Sequence, residues 1–227
     1  MNKLKIFFIL PVIWICFTFS CNSGIDRGVI ERNNNEVSFQ NIKPPKEKQL
    51  VAILGFENKS TYASDKLWDT SSQLLFTNLI ETGYFRVVEW EKMKQLFDWD
   101  ALSTSSLVKS PEKRNEARKI LLCEYFLTGA VTYFDVSQRA KVSALSKSKV
   151  FQTTIRVDLL LQNAQTGEYV AAGKGESIET QEFTGGFLGG ATGSWDPKTA
   201  DKALDTAIRQ ALFQLVDVYN RKERNEL

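Results

Sequence analysis

At 227 residues, 43% hydrophobic and 25% charged, the chain has the statistics of one good-sized globular domain, with no length left for a second. Its 29 basic and 27 acidic residues nearly cancel, and Lys3 and Lys5 lie in a leader that carries no acid, so the remainder is neutral and unsuited to nucleic acid. The absence of histidine removes the commonest general base and the commonest metal ligand together, which argues against triads and zinc sites; neither an enzyme nor a cofactor is expected.

Residues 1–20 have the form of an export signal: Lys3 and Lys5, then an apolar run over 6–19, too short to span a bilayer and right for a signal peptide. Its end, Thr18-Phe19-Ser20-Cys21, resembles the lipobox of bacterial lipoproteins, which implies that Cys21 becomes the acylated first residue of the mature chain. Ser20 fits that pattern, whereas Thr18 and Phe19 stand where leucine and a small residue are usual. An ordinary signal peptide with an incidental cysteine, and an uncleaved anchor, are the other two readings of the same segment. Residues 21–48 are polar, with Asn33-Asn34-Asn35 and Pro44-Pro45, and read as a tether.

The domain is expected over 49–222. Residues 49–56 form a strand apolar on both faces, as in the middle of a covered sheet. Ser64 and Asp65 open a helix whose stripe is Leu67, Trp68, Leu74, Leu75 and Leu79, with Ser71 and Asn78 between, and Gly83 sits where a left-handed cap belongs. A strand over 84–88 and a short helix over 89–97, packed through Trp90, Met93 and Phe97, follow. Residues 103–109 read as a loop, and Ser110-Pro111-Glu112 opens a helix that buries Ala117, Ile120 and Leu121. Asp98 and Asp100 flank Trp99 near a helix end, where acidic pairs are usually solvated rather than catalytic. Cys123, among apolar neighbours, reads as a packed thiol.

A strand over 124–136 sets Phe126, Thr128, Ala130, Thr132 and Phe134 on one face, and 137–149 is rich in lysine and serine. The clearest element is a hairpin over 150–182. Ile155, Val157, Leu159 and Leu161 share its core face, and Asn163, Thr166 and Gly167 make its turn. Residues 182–195 are glycine-rich without the lysine of a phosphate loop; Phe183, Phe187, Leu188 and Trp195 are the candidate membrane or partner contacts, and the other reading of the segment is a flexible surface loop whose aromatics dock on the domain or a neighbour. The last helix carries a long stripe: Ala200, Ala203, Leu204, Ala207, Ile208, Ala211, Leu212, Leu215 and Tyr219.

Four segments together resemble the curli production assembly/transport lipoprotein family, the CsgG-like proteins. They are residues 79–89, 125–131, 157–168 and the helix around 203–208, behind the lipobox. The resemblance implies a single α/β domain with a mixed sheet of about five strands and packed helices, like the anticodon-binding-like periplasmic domain of CsgG. It also implies an outer-membrane lipoprotein that faces the periplasm, forms a homo-oligomer and meets secreted or envelope proteins. The family's membrane hairpins would map to 137–152 and 180–196. Both are short of the two ~10-residue strands that a membrane hairpin needs, which argues against a pore made by this chain. The expected function is therefore a non-enzymatic subunit of an envelope export or assembly apparatus. The alternative is an accessory lipoprotein that binds and activates a cell-wall synthesis enzyme.

Overall fold

A computed structural model describes residues 29–31, 39, 43–62, 67–142, 146–186 and 193–223. Parts of the segment read as a tether belong to the domain: Val29–Glu31 is a strand, β1, and Phe39 is buried in the core with the Arg209 guanidinium over its ring. β2 (Leu50–Asn58) is buried on both faces, as its uninterrupted apolar run requires. Its register against a parallel neighbour slips at Gly55, which takes φ +111°. A side chain there would meet the Leu102 carbonyl oxygen at 2.4 Å and Ser105 Oγ at 2.6 Å, so this bulge is open to glycine alone.

α1 (Leu67–Glu81) buries Leu67, Ser71, Leu75, Asn78 and Leu79 and ends at Gly83 with φ +62°, as expected; Ser64 and Asp65 lie outside the described residues. Of the strand expected over 84–88, only β3 (Arg86–Val87) pairs, parallel to β2. Tyr84 and Phe85 turn inward instead, their rings 6.0 and 5.5 Å from that of Tyr219. α2 (Trp90–Leu96) is held by Trp90 and Met93.

The loop expected over 103–109 is helical: α3 (Trp99–Ser103) and α4 (Ser106–Lys109) meet at Ser105, φ +51°. Leu102, Leu107 and Val108 are buried, and those three contacts fold the segment inward. Asp98 caps α3, accepting the Ala101 N–H at 2.8 Å, a local structural role for one acid of the pair. α5 (Pro111–Leu121) starts as expected with Ser110 as its cap and buries Ala117 and Leu121. Ile120, however, is 49% exposed, because it lies about 80° round the helix from the line through those two residues.

Three strands of 18 residues each then form an antiparallel meander, β4 (Tyr125–Val142), β5 (Ser146–Asn163) and β6 (Tyr169–Gly186). Within the lysine- and serine-rich segment, 137–142 continues β4 and 146–149 begins β5, with the hairpin paired out to Val142 and Lys147. In β4 the register shifts at Thr132, between Val131 opposite Val157 and Tyr133 opposite Arg156. The extra residue moves Phe134 onto the face of Leu127, Gly129 and Val131, which corrects the simple alternation expected there. Ile155, Val157, Leu159 and Leu161 are fully buried on that face.

α6 (Pro197–Glu223) covers the same face and buries the whole expected stripe, together with Val216. It comes closest over Gly173 and Gly175, where a Cβ would lie 1.9 Å from the carbonyl oxygens of Ala211 and Ala207. Asn78 of α1 donates to Asp205 of α6 at 2.7 Å, and Arg209 pairs with Asp205 and with Glu81. The sheet order is β1-β6-β5-β4-β2-β3. This is the expected single mixed α/β domain, with the three-residue β1 added at one edge.

Candidate functional site

α1 and α6 cover one face of the sheet, while α3 to α5 reach only part of the other. Over β5 and β6 that second face is bare: Leu160 is 39% exposed and Tyr169 58%. Between the bare strands and α4 runs a groove of about 480 Å³ lined by Val108, Ala130, Leu160, Tyr169 and Ala172, with Glu57, Lys109, Asp158 and Lys174 at its polar margin.

The acid best placed in the groove is Glu57. It receives Lys109 Nζ at 2.6 Å and Lys59 Nζ at 3.1 Å, and its side chain is 13% exposed. Burial pushes its pKa up, but the hydrogen bonds and charges of Lys109 and Lys59 outweigh that, and the net shift is downward. Glu57 is thus a carboxylate neutralised by two ammoniums, the opposite of an acid poised to donate a proton. Lys109 also donates to the Thr104 carbonyl at 2.6 Å, so its ammonium ties α4 both to the end of α3 and, through Glu57, to β2. Outside the groove on the same face, Arg156 grips Glu176 across the strands at 2.7 Å and lies over Tyr133. The arrangement suits binding of a mainly apolar protein surface edged by charge. Among the described residues no cluster of three metal-ligating side chains occurs.

The sequence-expected site residues lie elsewhere. Cys21, Phe187 and Leu188 fall outside the described residues. Phe183 is buried at the far end of β6, its ring 6.1 Å from Phe151 and its face covered by Gly193. Trp195 packs against the core and donates its indole N–H to Thr153 Oγ1 at 2.9 Å. These two aromatics meet the body of the domain. Around them are residues the sequence did not single out: Lys149 donates to the Gly193 carbonyl at 3.0 Å, Gln181 accepts the Asp196 N–H, and buried Glu179 lies 3.5 Å from Lys202. The period-two pattern of β5, followed back through Thr153 to Phe151, would have found the first layer of this cluster.

Cys123 is buried, and burial pushes its thiol up to about 12, so it remains a neutral packing group. No described helix is long and apolar enough to cross a membrane.

Similar proteins are known. The candidate lipoprotein NMB1126/NMB1164 of Neisseria meningitidis serogroup B is 27% identical over 178 residues, 73% of this chain and 74% of that one. The crystal structure of lipoprotein GNA1162 from Neisseria meningitidis aligns with a TM-score of 0.42 and 15% identity, over 67% of this chain and 90% of the other. The LpoB C-terminal domain from Salmonella enterica aligns at 0.39 and 15% identity, over 59% and 86% of the two chains. The PelC dodecamer from Paraburkholderia phytofirmans aligns at 0.37 and 12% identity, over 83% and 97%. Residues 32–225, most of the chain, match the family of the curli production assembly/transport component CsgG, and the chain belongs to that family.

Proposed function

We propose that this chain is a non-enzymatic, lipid-anchored subunit of an envelope export or assembly apparatus, held at the outer membrane on its periplasmic side through Cys21. It acts by contact with proteins, further copies of itself included, and makes no pore of its own. Membership of the CsgG family supports the assembly or transport role. The observation that carries the reading is the far end of the meander. Beyond the core β4 continues only over 137–142, about 20 Å of strand, against the 9–11 residues that a membrane strand needs. Its residues Gln138, Arg139 and Ala140 are all exposed, on alternate faces, so no apolar band faces outward. The bare sheet face with its groove is the surface offered to a protein partner.

Protein purified in mild detergent should be oligomeric, and in planar bilayers it should give no stable conductance. Radiolabelled palmitate should enter the wild type and not Cys21→Ser. Discrete conductance steps abolished by deleting 185–193 would refute the reading in favour of a secretion pore. A strict monomer that stimulates a purified cell-wall synthase would refute it in favour of an accessory activator.

A further inference from the structure

The short β1 sets the direction in which the chain enters the domain. It runs antiparallel to β6, with Glu31 opposite Thr180 and Val29 opposite Glu182. The chain preceding Val29 therefore leaves the sheet in the direction of 183–186, toward the open end of the meander. Cys21 lies eight residues before Val29, a reach of at most about 28 Å. The described strands extend four residues past that row, about 13 Å. An acyl chain on Cys21 thus holds this end of the sheet within reach of the bilayer surface.

The same end is cationic. Past Val150 and its partner Glu182 come three rows: Ala140, Lys149 and Phe183; then Lys141, Ser148 and Thr184; then Val142, Lys147 and Gly185. They hold three lysines and no acid. From 136 to 157 the sequence contains no Asp or Glu, while the chain as a whole is nearly balanced. Lys147 is exposed and so is Val142, at 73%; Lys149 is partly held back by Gly193 and the Phe151 ring. The described part of this strand end bears lysines and no apolar band, which complements headgroup phosphates.

We infer that the rows carrying Lys141, Lys147 and Lys149 form a foot that rests on the anionic phospholipid headgroups of the membrane to which the chain is anchored. This rests on the acylation of Cys21 proposed above. A single acyl signal and a basic patch reinforce each other in membrane binding, and the foot would also fix the tilt of the domain, presenting the bare sheet face sideways to its partners.

The test uses the acylated protein carrying Val142→Cys; Cys123 is buried and stays silent to the label. The protein is floated with vesicles of phosphatidylcholine or of phosphatidylcholine mixed with phosphatidylglycerol, and labelling by a water-soluble maleimide is timed. Labelling should slow at least tenfold in the anionic vesicles only. It should recover in high salt and in Lys141→Gln/Lys147→Gln, which weakens the contact roughly 30-fold. Failure to float in either vesicle would be a failure of the anchor, scored separately from the foot. Equal rates in the two vesicles, or protection retained in the double variant, would overturn the foot. Protection in neutral vesicles brought on by inorganic pyrophosphate would assign the lysines to a soluble phosphate instead. Protection that grows with protein concentration in micelles would assign them to a second copy of the chain.

Discussion

Gly175→Ala sets two effects of opposite sign against each other. In an open strand, alanine would be preferred over glycine by about 0.5–1 kcal/mol, since glycine loses more backbone freedom on folding. Here the new Cβ would sit 1.9 Å from the Ala207 carbonyl oxygen and 2.8 Å from the Ala211 N–H nitrogen, against the 3.0 Å that such contacts essentially never fall below. Both obstacles are main-chain atoms of α6, so no side chain can swing aside and the helix must retreat by more than 1 Å. A gap of that size forfeits about a quarter to a half of the dispersion energy of each contact along the seam. Overpacking of this kind typically costs 1–3 kcal/mol, and the loss here should fall at about 3 kcal/mol. Gly83→Ala is the control: it has open space around it, its nearest neighbour being Lys48 Nζ at 3.9 Å, and only its φ of +62° to pay for, about 1–2 kcal/mol. Urea unfolding followed by far-ultraviolet circular dichroism would rank the two. A Gly175→Ala protein as stable as wild type, or one rescued by Ala207→Gly although the obstacle is a carbonyl, would refute the packing argument.

Leu159→Ala, at a fully buried position opposite Gly129, should cost ~2–5 kcal/mol in the same assay, and a loss under about 0.5 kcal/mol would mean that the site is not enclosed. Glu57→Gln should destabilise at neutral pH. Because the folded-state pKa of Glu57 lies below its ordinary value of 4.5, the gap to wild type should be full above that value and close as pH falls below it; a gap independent of pH would remove Lys109 and Lys59 as its cause. Cys123 should resist thiol reagents in the native protein at neutral pH and react once the chain is unfolded, and rapid native labelling would contradict its burial.

What could be read from sequence follows from where periodicity is enforced by a solid neighbour. α6 packs along its whole length, so all nine expected stripe residues are buried; β5 lies between two strands under α6, and its period of two is equally clean. The strand extensions over 137–142 and 146–149 carry no such mark, because their shape comes from main-chain pairing on a solvated arm rather than from burial. The bulge at Thr132 was hidden for a different reason: Val131, Thr132, Tyr133 and Phe134 fit a strand in either phase, and only pairing with β5 chooses. α3 and α4 are broken by a serine, not a glycine, at positive φ, so nothing in the local chemistry announces the break. The groove joins residues from six separate segments of the chain, and no one of them carries a mark of the site.

The edges of the sheet decide how this domain can meet another. An unpaired edge strand would invite a neighbour's strand, and β6 is such an edge over most of its length. Yet the N–H groups of Lys174 and Glu176 are already bonded to Gln214 at 2.7 Å and Gln210 at 3.2 Å, side chains that α6 can bring there only because Gly173 and Gly175 let it approach. Farther along, β1 takes up 180–182. At the opposite edge β3 is two residues long and leaves little ladder to extend. Among the described residues these elements occupy part of both edges and so limit growth of the sheet from subunit to subunit. Among the described residues, the bare face of β5 and β6, where Leu160 and Tyr169 are exposed beside the groove, is the surface best suited to assembly through side chains. On this reasoning Leu160→Asp and Tyr169→Asp should abolish self-association in mild detergent while leaving the unfolding free energy of the monomer within about 0.5 kcal/mol, as expected of exposed positions. Oligomers that survive both changes but dissociate when β1 is deleted would show instead that the subunits join through the strand edge.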